Sequence, residues 1–247
     1  MNSRRLFPLC FLLVVTSAVA RTPAEQVDSI ADDLYELRLK QNPEFAYFLG
    51  LPVERHDALS DNSLETLAVY RQEEDRLLSS IKTIDGAALR DTPQWITWGI
   101  VLEDLESSIG LRVCAQELWG VNQMGGWQLG FPQIADLQPV GTDELRAQAL
   151  TRWGKLPGFV RNEIDNLRLG LERGYSSPQS VVRLVIGQMN NLIEVPLDDS
   201  PFLSPARRDD DDQFAEEFQT LVTGEILPTL TEYRDFLQEE YLPAARE

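Results

Sequence analysis

Histidine is almost absent from the sequence: His56 is the one imidazole in 247 residues. A zinc site takes about three or four ligands drawn from His, Cys, Asp and Glu, so a mechanism that needs two histidines is excluded. We therefore expect no catalytic residue, no metal site and no cofactor in this chain. His56 stands between Glu54, Arg55 and Asp57, and with no neighbouring nucleophile to serve as a general base we interpret it as an exposed loop residue.

Cysteine is scarce as well, because the chain contains only Cys10 and Cys114. Cys10 lies in an N-terminal apolar run that we interpret below as an export signal. Removal of that signal would leave Cys114 alone, with no partner for an intramolecular disulfide. A lone cysteine of this kind is usually a buried apolar residue, and we expect Cys114 to be one, because a reactive thiol would need a base beside it.

Positive charge is the next deficit: Lys and Arg number 22 against 40 Asp and Glu, a formal charge of −18. Nucleic-acid affinity comes mostly from clustered Lys and Arg, and anionic lipid attracts the same residues. We therefore expect no nucleic-acid partner. At 43% hydrophobic and 25% charged residues, the composition is that of a globular protein with a sizeable core.

Long hydrophobic runs are also lacking. The longest, residues 6–15, is too short to span a bilayer as a helix. It follows Arg4 and Arg5 and precedes Ala18-Val19-Ala20, the three parts of a secretory signal peptide. We predict that residues 1–20 are cleaved after Ala20, which leaves residues 21–247 as a single helical domain, periplasmic or secreted, without a stable membrane anchor.

No stretch of any length alternates polar and apolar residues, so the sequence predicts an all-α fold, an irregular multi-helix bundle with one irregular loop region near residues 110–140. Thr22-Pro23 with Glu25 forms the pattern of a capping box, and Asn62 with Glu65 predicts a further helix start. Residues 195–208 are the one candidate for an internal boundary. The last helix should start near residues 209–212 and run toward Glu240, with a kink at Pro228.

Four consecutive aspartates occupy residues 209–212. The run lacks the glycine and the spaced ligands of an EF-hand calcium loop. Carboxylates at a helix N-terminus cap free N–H groups and meet the positive end of the helix dipole. We interpret the run as such a helix start.

Aromatic and amide side chains concentrate in the middle of the chain. Trp119, Asn122, Gln123 and Trp127 stand close together, and Gln188 lies on an apolar helix face further on. This composition is typical of a pocket that grips a peptide or a small polar ligand by stacking and hydrogen bonds. The alternative is a buried loop whose amides satisfy backbone groups. We take these five residues as the candidate ligand-binding site.

Several short segments, in a specific order and spacing, resemble one bacterial family, catalogued as domain of unknown function 885. The resemblance covers nearly all of the chain after residue 20. The segments are Asn42-Pro43-Glu44-Phe45-Ala46 with Leu49-Gly50; Asn122-Gln123-Met124-Gly125; Gly170 with Gly174, Pro178, Val181-Val182 and Gln188; Ser200-Pro201-Phe202; and Glu240-Tyr241-Leu242-Pro243-Ala244-Ala245-Arg246.

Members of that family are longer than this chain, exported and mostly helical, and they look like zinc metallopeptidases. Their metal motif, a His-Glu followed by Pro-Gly-His, belongs to a C-terminal half. The sequence to Glu247 contains no His-Glu pair. The resemblance therefore implies the non-catalytic N-terminal half of such a protein, truncated before the metal motif, with zinc expected only in full-length relatives.

This half would contribute substrate-cleft surface, and its partners would be a peptide substrate or the missing C-terminal half. A gene fragment explains the pattern most simply. A split enzyme completed by a second chain is the alternative interpretation. Two other functions stay open. One is a free-standing exported binding module for a peptide or small polar ligand, and the other is a hydrolase with a carboxylate-only site.

Overall fold

A computed structural model describes residues 21–247, so the expected signal segment, residues 1–20, lies outside the described residues. Over the described range the chain forms helices and no strand, which confirms the all-α prediction. No helix between residues 21 and 247 has both the length and the apolar character of a membrane span. The helices are α1 Pro23–Gln41, α2 Phe45–Phe48, α3 Leu64–Lys82, α4 Pro93–Leu111, α5 Trp127–Leu137, α6 Asp143–Trp153, α7 Leu156–Glu172, α8 Gln179–Glu194, α9 Ser204–Arg207, α10 Asp212–Leu221, α11 Leu227–Phe236 and α12 Leu242–Ala244.

The capping box predicted at α1 is present. The Glu25 N–H donates to Thr22 Oγ1 (3.3 Å), and the Thr22 N–H donates to Glu25 Oε2 (2.8 Å). The next predicted start is displaced by one residue: Ser63 caps α3, accepting from the Thr66 N–H at 3.2 Å. The side chain of Asn62 is not available for this role because it bonds to α7, as described below.

Helices α1, α3 and α4 pack around one another as a three-helix unit. Their shared core includes Val27, Leu77, Ile81 and Leu105, all fully buried. Burial of these aliphatic side chains stabilises the unit by roughly 2 kcal/mol for each residue. The unit thus has a hydrophobic core of its own.

An ion-pair network joins the three helices at one end of this unit. Glu74 of α3 is buried and accepts from Arg38 of α1 at 2.5 Å and from Arg112, just after α4, at 2.8 Å. The two guanidinium groups hold the pKa of Glu74 below its usual value, although burial alone would raise it. A buried carboxylate needs such partners, because an unpaired charge is costly to bury.

The second core lies in the rest of the chain and is formed mainly by α5 to α12. Trp153, Phe202, Phe218 and Leu230 are fully buried in it. Residues 195–208, the candidate boundary, contribute Phe202 to the centre of this core and are therefore part of it. Apart from Tyr47 and Leu59, which pack into the second core, the two hydrophobic clusters divide along the chain just after α4.

The prediction of an irregular loop near residues 110–140 is wrong over its second half, where α5 forms. Its density of Gly and Pro, including Pro132 inside the helix, predicted a loop. However, Phe131, Ile134 and Ala135 fall on one helical face and are buried. Burial of this face outweighs the weak local helix propensity. The first half does follow short 3-10 turns, Arg112–Cys114 and Gln116–Leu118.

The C-terminal helices α10, α11 and α12 follow one another without a loop and are joined by two π-helical turns. The turns are Val222–Ile226 and Leu237–Tyr241. Each lies directly before a Leu-Pro pair that opens the next helix, with the prolines at Pro228 and Pro243. Proline lacks the N–H that a regular helix needs, and π-turns are a common way to accommodate the missing bond. The distortion that we predicted at Pro228 thus begins one turn earlier.

Candidate functional site

The amide residues predicted as ligand contacts bond to one another. Gln128 Nε2 donates to the Asn122 carbonyl (2.8 Å) and to Gln188 Oε1 (2.9 Å), and Gln188 Nε2 donates to the Gln123 carbonyl (2.9 Å). Asn122 Oδ1 accepts from the N–H groups of the next turn, at 2.8 Å from Met124. The amides therefore fasten the loop before α5 to α8, as in the buried-loop alternative. Gln128, which belongs to the same aromatic and amide segment of the sequence, is almost fully buried and is the centre of this network.

Trp119 lies apart from this network. Its indole N–H donates to the Cys114 carbonyl at 2.9 Å, closing the turn that leads out of α4. Cys114 itself is exposed, so the prediction of a buried cysteine is wrong. It ends a 3-10 turn directly before Ala115, whose left-handed backbone (φ 44°) reverses the chain at the surface.

Trp127, the first residue of α5, lines a cavity of about 480 Å³. The cavity lies between α2, residues 60–62 and α5. Trp127 packs against Phe131, Phe159 and Tyr233 with ring centroids 5.0–6.0 Å apart. Six aromatic residues contribute to the wall: Phe45, Phe48, Tyr70, Trp127, Phe131 and Phe159.

The polar part of the cavity wall is acidic or neutral. Glu44 is buried and accepts from the Ser60 N–H (2.6 Å) and hydroxyl (2.5 Å). Asp61 also lines the cavity, whereas no Lys or Arg is among the lining residues. One buried polar atom of a lining residue, Asn62 Oδ1, has no hydrogen-bond partner among residues 21–247, whereas the indole N–H of Trp127 is directed at the Tyr233 hydroxyl. An unpaired buried group is costly and marks a place where a ligand or water can bind.

Behind Asn62 lies Glu163 of α7, a residue that the sequence did not identify. Asn62 Nδ2 donates to Glu163 Oε2 at 3.0 Å, and the Asn62 carbonyl accepts from Asn166 at 2.8 Å. Burial raises the pKa of Glu163 to about 7. Burial, followed by the nearby charge of Glu163, also raises the pKa of the Tyr233 phenol well above its usual value.

His56 is partly buried rather than an exposed loop residue, which corrects the prediction. Its Nδ1 and the Tyr47 hydroxyl are hydrogen bonded at 2.5 Å. Its backbone N–H donates to Gln148 Oε1 at 2.7 Å, and its carbonyl accepts from Gln138. Burial, followed by the charge of Arg152, lowers the pKa of His56. The segment before α3 folds onto α6, a contact that local sequence does not indicate.

Arg152 is the fully buried cation of this region. Its Nε donates to the Ala58 carbonyl (2.7 Å) and its Nη1 to Gln138 Oε1 (2.8 Å). The guanidinium also lies over the Tyr47 ring, 4.8 Å from the centroid. Neutral acceptors and a ring face thus stabilise the charge, and together they hold the segment that carries His56 and Glu44 against the second core.

The aspartate run at residues 209–212 has the predicted role at a helix start. Asp211 caps α10 by accepting from the Phe214 N–H at 2.8 Å. The side chain of Asp209 is fully buried, pairing with Arg146 at 2.8 Å and accepting from the Gly141 N–H at 2.7 Å. Hydrogen bonding from Arg146 lowers the pKa of Asp209.

The family resemblance implies zinc only in full-length relatives, and residues 21–247 do not fit a zinc site. Between residues 21 and 247, no group of three or more His, Cys, Asp or Glu side chains is placed to hold a metal ion. The one imidazole is bonded through Nδ1 to Tyr47.

A family model described as "Bacterial protein of unknown function (DUF885)" matches residues 43–247. A crystal structure of a candidate lipoprotein from Colwellia psychrerythraea is similar in fold, with a TM-score of 0.72 and 16% sequence identity. The match covers 91% of this chain and 42% of that one, so the chain spans less than half the length of that relative. No curated protein matches the sequence.

Proposed function

This chain belongs to the bacterial family of unknown function DUF885, and from that premise we propose that it is the non-catalytic helical portion of an exported, metallopeptidase-like protein. In this proposal it contributes substrate-cleft surface, and the aromatic cavity beside Trp127 is the part that holds a peptide. The observation that carries the proposal is this cavity of about 480 Å³, whose wall combines aromatic side chains with two carboxylates.

A peptide suits the chemistry of the wall. Its amide N–H is a donor, which is the group that Asn62 Oδ1 lacks. The aromatic rings can enclose an apolar side chain, and ligand pockets of roughly 300–1,000 Å³ are usual. The exposed rings of Phe45 and Phe48 at the rim would extend the contact to neighbouring residues of the peptide.

The metal chemistry, in this proposal, belongs to another part of the enzyme. The similar solved chain is more than twice as long as the region matched here, which supports treating residues 21–247 as one portion of a larger protein. Trp127, Asn62 and Glu44 would then bind and orient the peptide, while bond cleavage takes place on residues outside this chain.

Two helical glycines allow a direct test of the cavity. An added Cβ at Gly130, which lines the cavity, or at Gly187 of α8 meets no atom within 4 Å. Gly130→Phe should fill the cavity and abolish binding of the probe Ala-Phe-Ala in calorimetry, whereas Gly187→Phe should bind like the wild type. Equal binding by both variants would place the peptide elsewhere, and absence of binding by the wild type would refute the proposed function.

Export is proposed as well, with cleavage after Ala20. Mass spectrometry of the periplasmic or secreted fraction should then find Arg21 at the N-terminus. An intact Met1 in that fraction would refute the cleavage.

A further inference from the structure

We infer that the aromatic cavity selects a ligand with an organic ammonium group, and specifically the free amino terminus of the bound peptide. This inference rests on the proposed function and adds the charge of the ligand to it. It follows from the aromatic and acidic residues that line the cavity and from the absence of Lys and Arg among the lining residues.

The cavity combines aromatic faces with carboxylates. Six aromatic residues line it, together with Glu44 and Asp61, and no cationic side chain does. An ammonium ion over an aromatic face is attracted by the ring's electron density, most strongly in a desolvated site. A neutral or anionic group gains nothing comparable, and an anion would also be repelled by the two carboxylates.

Asp61 stays ionised in this setting. Its carboxylate accepts from the Ser63 N–H at 2.9 Å and from the Thr66 hydroxyl at 2.8 Å. Burial acts to raise the pKa of Asp61, but these hydrogen bonds outweigh burial and lower it. Both partners are neutral, so the negative charge of Asp61 is not cancelled by a cation.

Glu44 is the second carboxylate that lines the cavity. It is buried, and its hydrogen bonds come from the backbone and hydroxyl of Ser60. Arg38, a cation close to this end of α1, is already paired with Glu74 and Asp104. The whole chain carries −18, so the electrostatic potential around the cavity favours a cation entering from solvent.

The free ammonium can thus meet the carboxylates and ring faces, while the first side chain packs among the rings. The first peptide N–H then lies on the side of the cavity where Asn62 Oδ1 lacks a donor. A peptide whose amino group is acetylated loses the charge and adds bulk at the same point. The cavity should therefore prefer the free amine to the acetylated form.

The test compares two probes, Phe-Ala-amide and N-acetyl-Phe-Ala-amide, by calorimetry at pH 6, where the α-amino group is protonated. We expect the free amine to bind about tenfold more tightly, equivalent to ~1.4 kcal/mol. In Asp61→Asn, which removes the charge and keeps one side-chain oxygen as an acceptor for the Ser63 N–H, this preference should shrink several-fold.

Asp85→Asn is the matched control. Asp85 also accepts from an N–H two residues later, that of Ala87 at 2.9 Å, but it does not line the cavity. Its removal should leave the preference unchanged. Equal binding of the two probes, or an unchanged preference in Asp61→Asn, would overturn the ammonium inference while the peptide-binding proposal stands. Failure of both probes to bind the wild type would overturn both.

Discussion

Asn62 Nδ2 donates a hydrogen bond to Glu163 Oε2 at 3.0 Å, across 101 positions of sequence. The bond joins the segment that enters α3 to the middle of α7, and so links the three-helix unit to the second core. Because Asn62 also lines the aromatic cavity, Glu163 supports the cavity wall from behind.

Glu163 should make stability depend on pH. Burial raises its pKa from 4.5 to about 7 in the folded state. A raised carboxyl pKa means that the folded protein binds the proton more tightly than the unfolded chain. The contribution of Glu163 to stability is therefore fully present below the unfolded pKa and is lost progressively as the pH rises from about 4.5 to 7. The full shift corresponds to roughly 3 kcal/mol.

Glu163→Gln removes this titration and keeps an acceptor for Asn62. We expect the variant to be more stable than the wild type at pH 8 and close to it at pH 5, as measured by urea unfolding at both values. Asp165→Asn, a change at an exposed residue of the same helix, is the control and should behave like the wild type. A stability difference between Glu163→Gln and the wild type that does not vary with pH would contradict the prediction.

Gly170 is the point of closest approach between α7 and the turn Gln116–Leu118. A Cβ at this position would lie 1.8 Å from the Leu118 carbonyl oxygen, which requires the backbone to move. Gly170→Ala should therefore destabilise the protein by about 3 kcal/mol. Gly158→Ala, in the same helix with no atom within 4 Å, should instead be neutral or stabilising by up to ~1 kcal/mol. Thermal unfolding of the two variants checks the contrast, and similar melting temperatures would show that the approach is not tight.

Substitution of Arg152 should destabilise the protein more than substitution of an exposed Lys or Arg. Arg152→Leu leaves the Ala58 carbonyl and Gln138 Oε1 without their donor, at a cost of about 1–3 kcal/mol for each buried acceptor. Arg161→Leu is the control, because that side chain is 61% exposed, and we expect it to change stability by less than about 0.5 kcal/mol. Denaturant unfolding measures both variants, and equal effects would refute a structural role for Arg152.

The bond between Gln128 and Gln188 can be measured as a coupling energy. Gln128→Met and Gln188→Met each remove the 2.9 Å bond while keeping most of the side-chain volume. A double-mutant cycle should give a coupling of about 1 kcal/mol. Additive effects of the two substitutions would mean that the bond adds nothing to the anchoring of the loop.

Cys114 should react readily in the folded protein, because it is exposed. A disulfide reagent should modify it at nearly the same rate with and without urea. Cys114→Ser should abolish that fast reaction. A thiol that reacts only after unfolding would show that the turn before Ala115 shields it.

Helix starts were readable from sequence because their causes are local. Thr22 and Glu25 reach each other across one turn, and Asp211 reaches a backbone N–H three residues on. Gly174 takes a left-handed φ of 82° just after α7. This conformation favours glycine, so the residue type alone predicts the end of the helix. The start of α3 is displaced by one residue for a reason that is not local, because Asn62 bonds to Glu163, which is distant in sequence, and Ser63 caps the helix instead.

The sequence by itself determined the helical class, the starts of the main helices and the acidic character of the surface, since periodicity, capping and charge act over a few residues or none. Only the tertiary structure decided that α5 forms despite its Gly and Pro, that Arg152 holds the segment that carries His56, and that Trp127 lines a cavity while Trp119 does not. These outcomes depend on which distant surfaces meet. Burial then sets the free energy of each contact, and it is also what raises the pKa of Glu163 to about 7.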